Sequence, residues 1–482
     1  MQFNSYEFLL LFLPVTVFLY FAANRMKPLA GKAVLIGASL IFYCLGRANM
    51  LVYLGISVVL NYLFAGLIRK TRVRKGWLLA VPVVINVALL AYCKYLNFAI
   101  ANVNALLGTE FPPRNLVLPL GISFYTFQQI AYVVAVWRGD LKKNSLADYL
   151  AYILYFPKIV MGPLADPVDF ISQLNQPERK RFSTHQLAVG LKLLSLGLIK
   201  KVLIGDTFAR AMAWAHGNVE TFSSVDGLLM MLFFMFQLYF DFSGYCDMAV
   251  GVSAMLNIDL PMNFDSPYKA VSIRDFWKRW HLTLTGFLTR YIYFPLGGSR
   301  KGKLFTYLNT IVVFVISGLW HGASWSFVVW GFLNGVLSCL DRVLDPLERR
   351  IPKPVRQVCT FTTVTVLCML FDLGSVRLWL RTLLKILRME GGGVSPGLMN
   401  TFQSAGSRLV ETVLHLDRLP FDTSGLAMWA FTLVAAFVCF VPENNFRTKD
   451  RLSRGSLLPV SLCFVWGLLC LGAESAFVYF GF

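Results

Sequence analysis

The sequence predicts an all-α fold, a polytopic bundle of transmembrane helices, and three observations carry that expectation. Hydrophobic residues make up 56% of the 482 and charged residues only 15%. A soluble domain carries roughly 25% charged residues, so this chain lacks the polar surface to dissolve a core of its size. The apolar residues fall in blocks of roughly 17–25, the length that crosses the hydrocarbon core of a bilayer. The net charge of +19 sits in short clusters between those blocks. That is the pattern of loops facing anionic lipid, not the continuous basic face of a nucleic-acid binder, and no nucleic-acid partner is expected.

Taken in order, the blocks are 6–23, 33–46, 50–68, 77–97, 117–137, 148–164, 187–205, 226–256, 304–323, 325–341, 356–373, 426–441 and 456–473, about 11–13 spans in all. The first lacks a basic leader and is followed by further membrane segments, which makes it a retained helix. Loops 24–32, 69–76 and 138–147 are basic, with Arg25, Lys27 and Lys32, then Arg69, Lys70, Arg72, Arg74 and Lys75, then Arg138, Lys142 and Lys143. Loops 47–49 and 98–116 carry one basic residue each. Positive loops stay cytoplasmic, which places the amino terminus outside.

Two amphipathic stretches are not expected to span. In Val376–Arg388 the residues Arg377, Arg381, Lys385 and Arg388 form a basic stripe opposite Trp379, Leu380, Leu383 and Leu387, as in a helix lying at the interface. The other surrounds His281. Segment 389–425 contains Gly and Ser, is comparatively polar, and reads as an extramembrane loop. The nine cysteines form no Cys-x-x-Cys pair and most lie in apolar runs, so neither a disulfide framework nor a metal site is expected.

Polar residues inside apolar runs are costly and usually have a task. Of five histidines, His185, His216 and His415 fall in polar loops or near a segment end, whereas His321 closes the apolar run that begins near Thr310. At 100° per residue, Thr310, Phe314, Ser317 and His321 lie within roughly 60° of one another, and Gly318 and Gly322 leave room for another backbone or a ligand. A neutral imidazole there suits general-base work, although it could also only join two helices. Ser272 and Asp275 resemble a capping box opening an amphipathic helix through Ile273, Phe276, Trp277, Trp280 and Leu284, with His281 at its edge beside Arg274 and Lys278; an interfacial Trp/Arg anchor is the plainer reading. Gln237, Asp241, Gly244, Tyr245 and Met248 share a face of the 226–256 block. Its carboxylates, Asp241 and Asp247, either line a wet cavity or meet basic partners inside the bundle, and a proton relay of a transporter stays open. Pro295–Lys303 is a Gly-rich basic turn without the strand-to-helix setting of a P-loop.

At these residues the sequence resembles the membrane-bound O-acyltransferase family. The resemblance rests on the runs at Gln237–Ala249, Phe276–His281, Pro295–Gly302 and Gly318–Gly322, and extends to Phe3–Pro14, Pro119–Phe127, Gly162–Leu164 and Phe477–Phe482. It is similar to the bacterial branch that contains the alginate O-acetylation membrane subunit and, less closely, to the D-alanyl transfer subunit of lipoteichoic acid synthesis. The resemblance implies one membrane domain over 1–482, with amino-terminal helices over 1–165, a catalytic core over 185–345 and carboxy-terminal helices over 346–482, enclosing a transmembrane tunnel. It implies an acyl relay in the bacterial inner membrane: an acyl group, expected to be acetyl, passes from a cytoplasmic thioester such as acetyl-coenzyme A to an extracytoplasmic SGNH-hydrolase-like partner or a polysaccharide. His321 and His281 take the positions of the family's two histidines. Trp280, Trp320, Arg279, Gln237, Asp241 and Tyr245 are the residues expected at the donor, with no bound cofactor or metal. The chain departs from relatives at Asp166, at Thr289-Arg290, and at Phe371-Asp372, where Phe-Arg is common. A transporter or flippase without bond-making, D-alanyl transfer and a non-catalytic scaffold are the rival readings.

Overall fold

A computed structural model describes residues 1–47, 50–71, 75–141, 143–348, 350–403, 412 and 424–471. His415, most of the expected loop 389–425 and the terminal Phe477–Phe482 run lie outside the described residues. Every regular element among the described residues is a helix. Eight are long and apolar enough to cross a membrane: Glu7–Met26, Pro28–Leu45, Leu51–Lys70, Gly76–Leu107, Ser224–Met255, Lys303–His321, Trp325–Leu347 and Lys353–Leu373. Ser424–Phe440 and Gly455–Leu469 are shorter apolar helices. The fold is that of a polytopic all-α membrane protein, as the composition and block lengths require.

Of the thirteen expected spans, 117–137, 187–205, 426–441 and 456–473 form helices outside this group of eight, and 148–164 is not one continuous helix. Block 148–164 is a nine-residue helix, Leu146–Leu154, followed by the four-residue Phe156–Ile159. At 1.5 Å per residue the longer piece reaches about 14 Å, half of a hydrocarbon core. The break falls at Tyr155 (φ −47°, ψ 108°). Pro157, which has no N–H to give, suits the first turn of the new helix after it. Periodicity counted the apolar residues correctly and missed the interruption.

The chain divides into two compact units, Met1–Leu194 with Met248–Pro261, and Ser195–Asp247 with Met262–Phe482. In the first, the rings of Phe3, Phe8, Phe42 and Phe156 pack together. Lys32 reaches the Asp148 carboxylate at 2.5 Å, and Asn61 and Asn86 exchange side-chain hydrogen bonds between two apolar helices. Lys158, fully buried, donates to Gln128 Oε1 and lies 4.0 Å from the Tyr152 ring centroid.

The second unit is held by ion pairs. A π-helical stretch, Ile199–Gly205, carries Lys200 and Lys201 side by side. Lys201 Nζ lies 2.5 Å from Asp241 and 2.7 Å from Asp206, and Lys200 Nζ lies 2.7 Å from Asp247. The two carboxylates singled out in the sequence therefore meet basic partners within the bundle. A Cβ on Gly244 would sit 2.9 Å from the Gly197 carbonyl oxygen, so the lysine-bearing and aspartate-bearing segments approach closely because the side chain there is missing.

Removing one partner of a buried pair strands the other charge. Lys201→Met should therefore cost on the order of 3–5 kcal/mol, read as a large fall in the thermal midpoint of the detergent-solubilised protein. Arg451→Met, which breaks a pair with Glu443 whose side chains are both more than half exposed, should leave that midpoint unchanged.

Candidate active site

His321 ends the helix Lys303–His321, and the following Gly322 turns to an extended backbone (φ −157°) before the helix Trp325–Glu348 returns antiparallel. The two helices pack at glycines. A Cβ on Gly318 would lie 2.1 Å from the Phe327 carbonyl oxygen, and one on Gly331 would lie 2.4 Å from that of Phe314. This close approach brings Trp330 against the His321 imidazole, at 5.6 Å between centroids and nearly perpendicular. Phe371 closes another side at 4.9 Å.

His281 does not sit on one continuous amphipathic helix. Ser272 caps a short helix, Ile273–Trp277, by accepting from the Asp275 N–H. The chain then breaks, His281 adopts a left-handed backbone (φ 48°, ψ 51°), and a second helix, Leu282–Leu288, begins. A residue with a Cβ held at positive φ costs about 1–3 kcal/mol and persists only where its surroundings enforce it. Helical spacing cannot foresee such a kink, since no Gly or Pro marks it. The result turns the imidazole inward, 2% exposed. It packs edge-on against Phe242 at 4.8 Å and lies 6.0 Å from Trp320, whose ring is 4.9 Å from that of His321.

Both imidazoles line one cavity of about 400 Å³, together with Trp280, Trp277, Thr285, Thr289, Tyr293 and Ser338. That volume is ordinary for a small-molecule site. Thr310, Phe314, Ser317 and His321 all face the cavity, the face that 100° spacing assigned to them. From Thr310 to His321 that wall runs about 16 Å along the helix. Three cations line the cavity: Arg274, Lys278 and Arg342. Arg274 is neutralised by buried Asp341 at 2.6 Å and by Asp345 at 3.4 Å. Lys278 and Arg342, both exposed, have no carboxylate partner among the described residues.

Of the residues the sequence set at the donor, Trp280 lines the cavity and Trp320 touches both imidazoles. Arg279 is turned to Asp275 at 2.8 Å and to the Asp265 carbonyl. Arg279, Gln237, Asp241 and Tyr245 are not among the lining residues, and Asp241 is bound to Lys201. Sequence reasoning missed Arg342, the basic residue after Asp341 in an apolar run, and it missed Asn263, whose Oδ1 lies 3.1 Å from His281 Nδ1.

Residues 80–373 match the model of the membrane-bound O-acyltransferase family. The chain belongs to this family. It is 32% identical to a peptidoglycan O-acetyltransferase of Helicobacter pylori over 100% of this chain and 97% of the relative. It is also 35% identical to a probable alginate O-acetylase of Pseudomonas aeruginosa over 76% and 71%, and 29% identical to a teichoic acid D-alanyltransferase of Bacillus subtilis over 47% and 59%. The protein is thus a membrane-bound O-acyltransferase.

Just outside the aromatic box, Asp372 takes a 2.9 Å hydrogen bond with His216 Nε2. That bond raises the His216 pKa above its ordinary value. A raised folded-state value means that the stabilisation is fully present below about pH 6.5, the unfolded value, and fades as pH rises through the folded one. The thermal-midpoint gap between wild type and His216→Gln should therefore shrink steadily as pH is raised from ~5.5 to ~8.5. Separately, Gly318→Ala should cost about 1–3 kcal/mol by overpacking and lower turnover by displacing His321. Gly286→Ala, with open space at its Cβ, should be silent in the same melting and activity measurements.

Proposed function

We propose that this O-acyltransferase carries an acetyl group from a cytoplasmic coenzyme A thioester to a hydroxyl on the outer side of the bacterial inner membrane. The acceptor is the hydroxyl of an envelope polysaccharide or of an SGNH-hydrolase-like partner that serves one. The observation that carries this reading is the shared cavity, with two imidazoles deep in it and two uncompensated cations, Lys278 and Arg342, along it. A phosphate-bearing donor supplies the anion those cations lack, and its thioester can lie along the Thr310–His321 wall. The basic turn Arg300, Lys301 and Lys303 precedes the same helix, which favours a cytoplasmic entrance on the positive-inside rule. That rule also favours an amino terminus outside.

In this reading the acceptor hydroxyl gives its proton to an imidazole as its oxygen attacks the thioester carbonyl. A C–O bond forms, the C–S bond breaks, and the departing thiolate recovers a proton from the imidazolium, leaving free thiol and acetyl ester. His281 and His321 are the two groups placed to move that proton, and burial lowers the His281 pKa, so that its imidazole is neutral and free to accept. Trp280, Trp320, Trp330 and Phe371 keep water from the thioester. The full-length likeness to a peptidoglycan O-acetyltransferase supports acetyl over D-alanyl, since the likeness to teichoic acid D-alanyltransferases covers under half of the chain. It also sets peptidoglycan beside alginate as an acceptor.

A base of this kind contributes about 10²–10⁴ in rate. His321→Ala and His281→Ala should each reduce alkali-labile [¹⁴C]acetyl in the envelope polymer by that factor, with membrane abundance unchanged, when vesicles receive [¹⁴C]acetyl-coenzyme A. Undiminished label in the double variant would refute the reading.

A further inference from the structure

Helix Leu282–Leu288 starts without a side-chain cap of its own, because the residue at its start, His281, is committed elsewhere. The N–H groups opening a helix need acceptors, and here they come from a residue eighteen positions earlier. The backbone carbonyl of Asn263 accepts from Leu282 N–H at 2.9 Å. Its side-chain Oδ1 accepts from Thr283 N–H at 3.3 Å and from Thr283 Oγ1 at 2.8 Å. Asn263 Nδ2 in turn faces Cys246 Sγ at 3.3 Å.

This pattern fixes more than the backbone. A peptide N–H can only donate, so the Asn263 atom facing Thr283 is the carbonyl oxygen and not the amide nitrogen. The same oxygen lies 3.1 Å from His281 Nδ1. Nδ1 must therefore carry the hydrogen, and in a neutral imidazole the lone pair is left on Nε2. Asn263 is buried and does not line the cavity, whereas His281 does, so the Nδ1 edge of the ring is the edge turned away from it.

We propose that Asn263 is a positioning residue for acyl transfer: it caps the helix after His281, holds that residue in its left-handed backbone, and commits the ring to the tautomer whose Nε2 accepts the hydroxyl proton. This rests on the acetyl-transfer reading above and assigns the proton-accepting atom within it. Thr283 belongs to the same arrangement, since its donors identify the Asn263 oxygen.

The test uses Asn263→Leu, which keeps the shape and removes the acceptor, and Asn263→Asp, which keeps the acceptor and adds a charge, in full-length protein in membrane vesicles with acetyl-coenzyme A. Asn263→Leu should lower kcat by about 10²-fold or more with KM for acetyl-coenzyme A within about twofold, the signature of an interaction used in the transition state and not in donor binding. Asn263→Asp should keep kcat within about tenfold and shift the acidic limb of the kcat profile to higher pH, because a carboxylate at Nδ1 favours the imidazolium. Unchanged kcat in Asn263→Leu, or a loss that follows protein abundance, overturns the proposal. So does an unshifted profile in Asn263→Asp, which decides the matter alone where the leucine variant fails to fold. A fully active His281→Ala would instead overturn the parent reading, whereas an inactive His281→Ala beside a wild-type-like Asn263→Leu would overturn only the role of Asn263.

Discussion

A polar group in hydrocarbon must find its partner inside the protein, and the arrangement of this molecule follows from where those partners lie. Lys201 is claimed by Asp206 and Asp241, and Lys200 by Asp247, to which Asn445 also donates. Lys32 is claimed by Asp148, Asn61 by Asn86, and Arg274 by Asp341. Apart from Lys201–Asp206, each pairing joins segments distant in sequence, so satisfying the charge also fixes the helix positions. Against that background Lys278 and Arg342 stand out, since they border a cavity and keep their charge uncompensated by described carboxylates. Lys32, Lys200, Lys201 and Arg274 each meet a carboxylate, which sets them apart from those two.

The fold was legible because lipid imposes long apolar blocks, and twelve of the thirteen blocks coincide with helices to within a few residues or, at Gly76–Leu107, about ten. The exception, 148–164, fails because hydropathy registers what a segment buries and not whether its backbone is continuous; the kink at Tyr155 is written in φ and ψ. The His321 wall was legible for a related reason. Thr310, Phe314, Ser317 and His321 occupy a straight helix, where angular spacing and three-dimensional neighbourhood are the same thing. His281 lies where that equivalence breaks, at a positive-φ residue between two short helices. Spacing misassigned its helix and could not pair it with Asn263. The face of Gln237, Asp241 and Tyr245 leaves both a wet cavity and a basic partner inside the bundle open, and Asp241 is bound to a lysine 40 positions away, a partner that no local pattern announces.

The two histidines are held by different means. His321 stands at the end of a helix locked by glycine contacts and is walled by the rings of Trp320, Trp330 and Phe371. Packing of that kind fixes the plane of a ring. His281 is held through a hydrogen bond at Nδ1, which sets the tautomer as well as the plane.

Asp372 shows how such a site tolerates change next to it. It follows Phe371, a wall of the His321 box, at a position where a basic residue is the family resemblance's expectation. An acidic side chain there inverts a charge at the edge of the aromatic cluster, and a buried carboxylate without a cation is costly. His216, carried on the separate helix Asp206–Gly217, supplies the counter-charge at 2.9 Å with its own ring 46% exposed. The pair forms while the ring of the preceding Phe371 keeps its contact with the His321 imidazole.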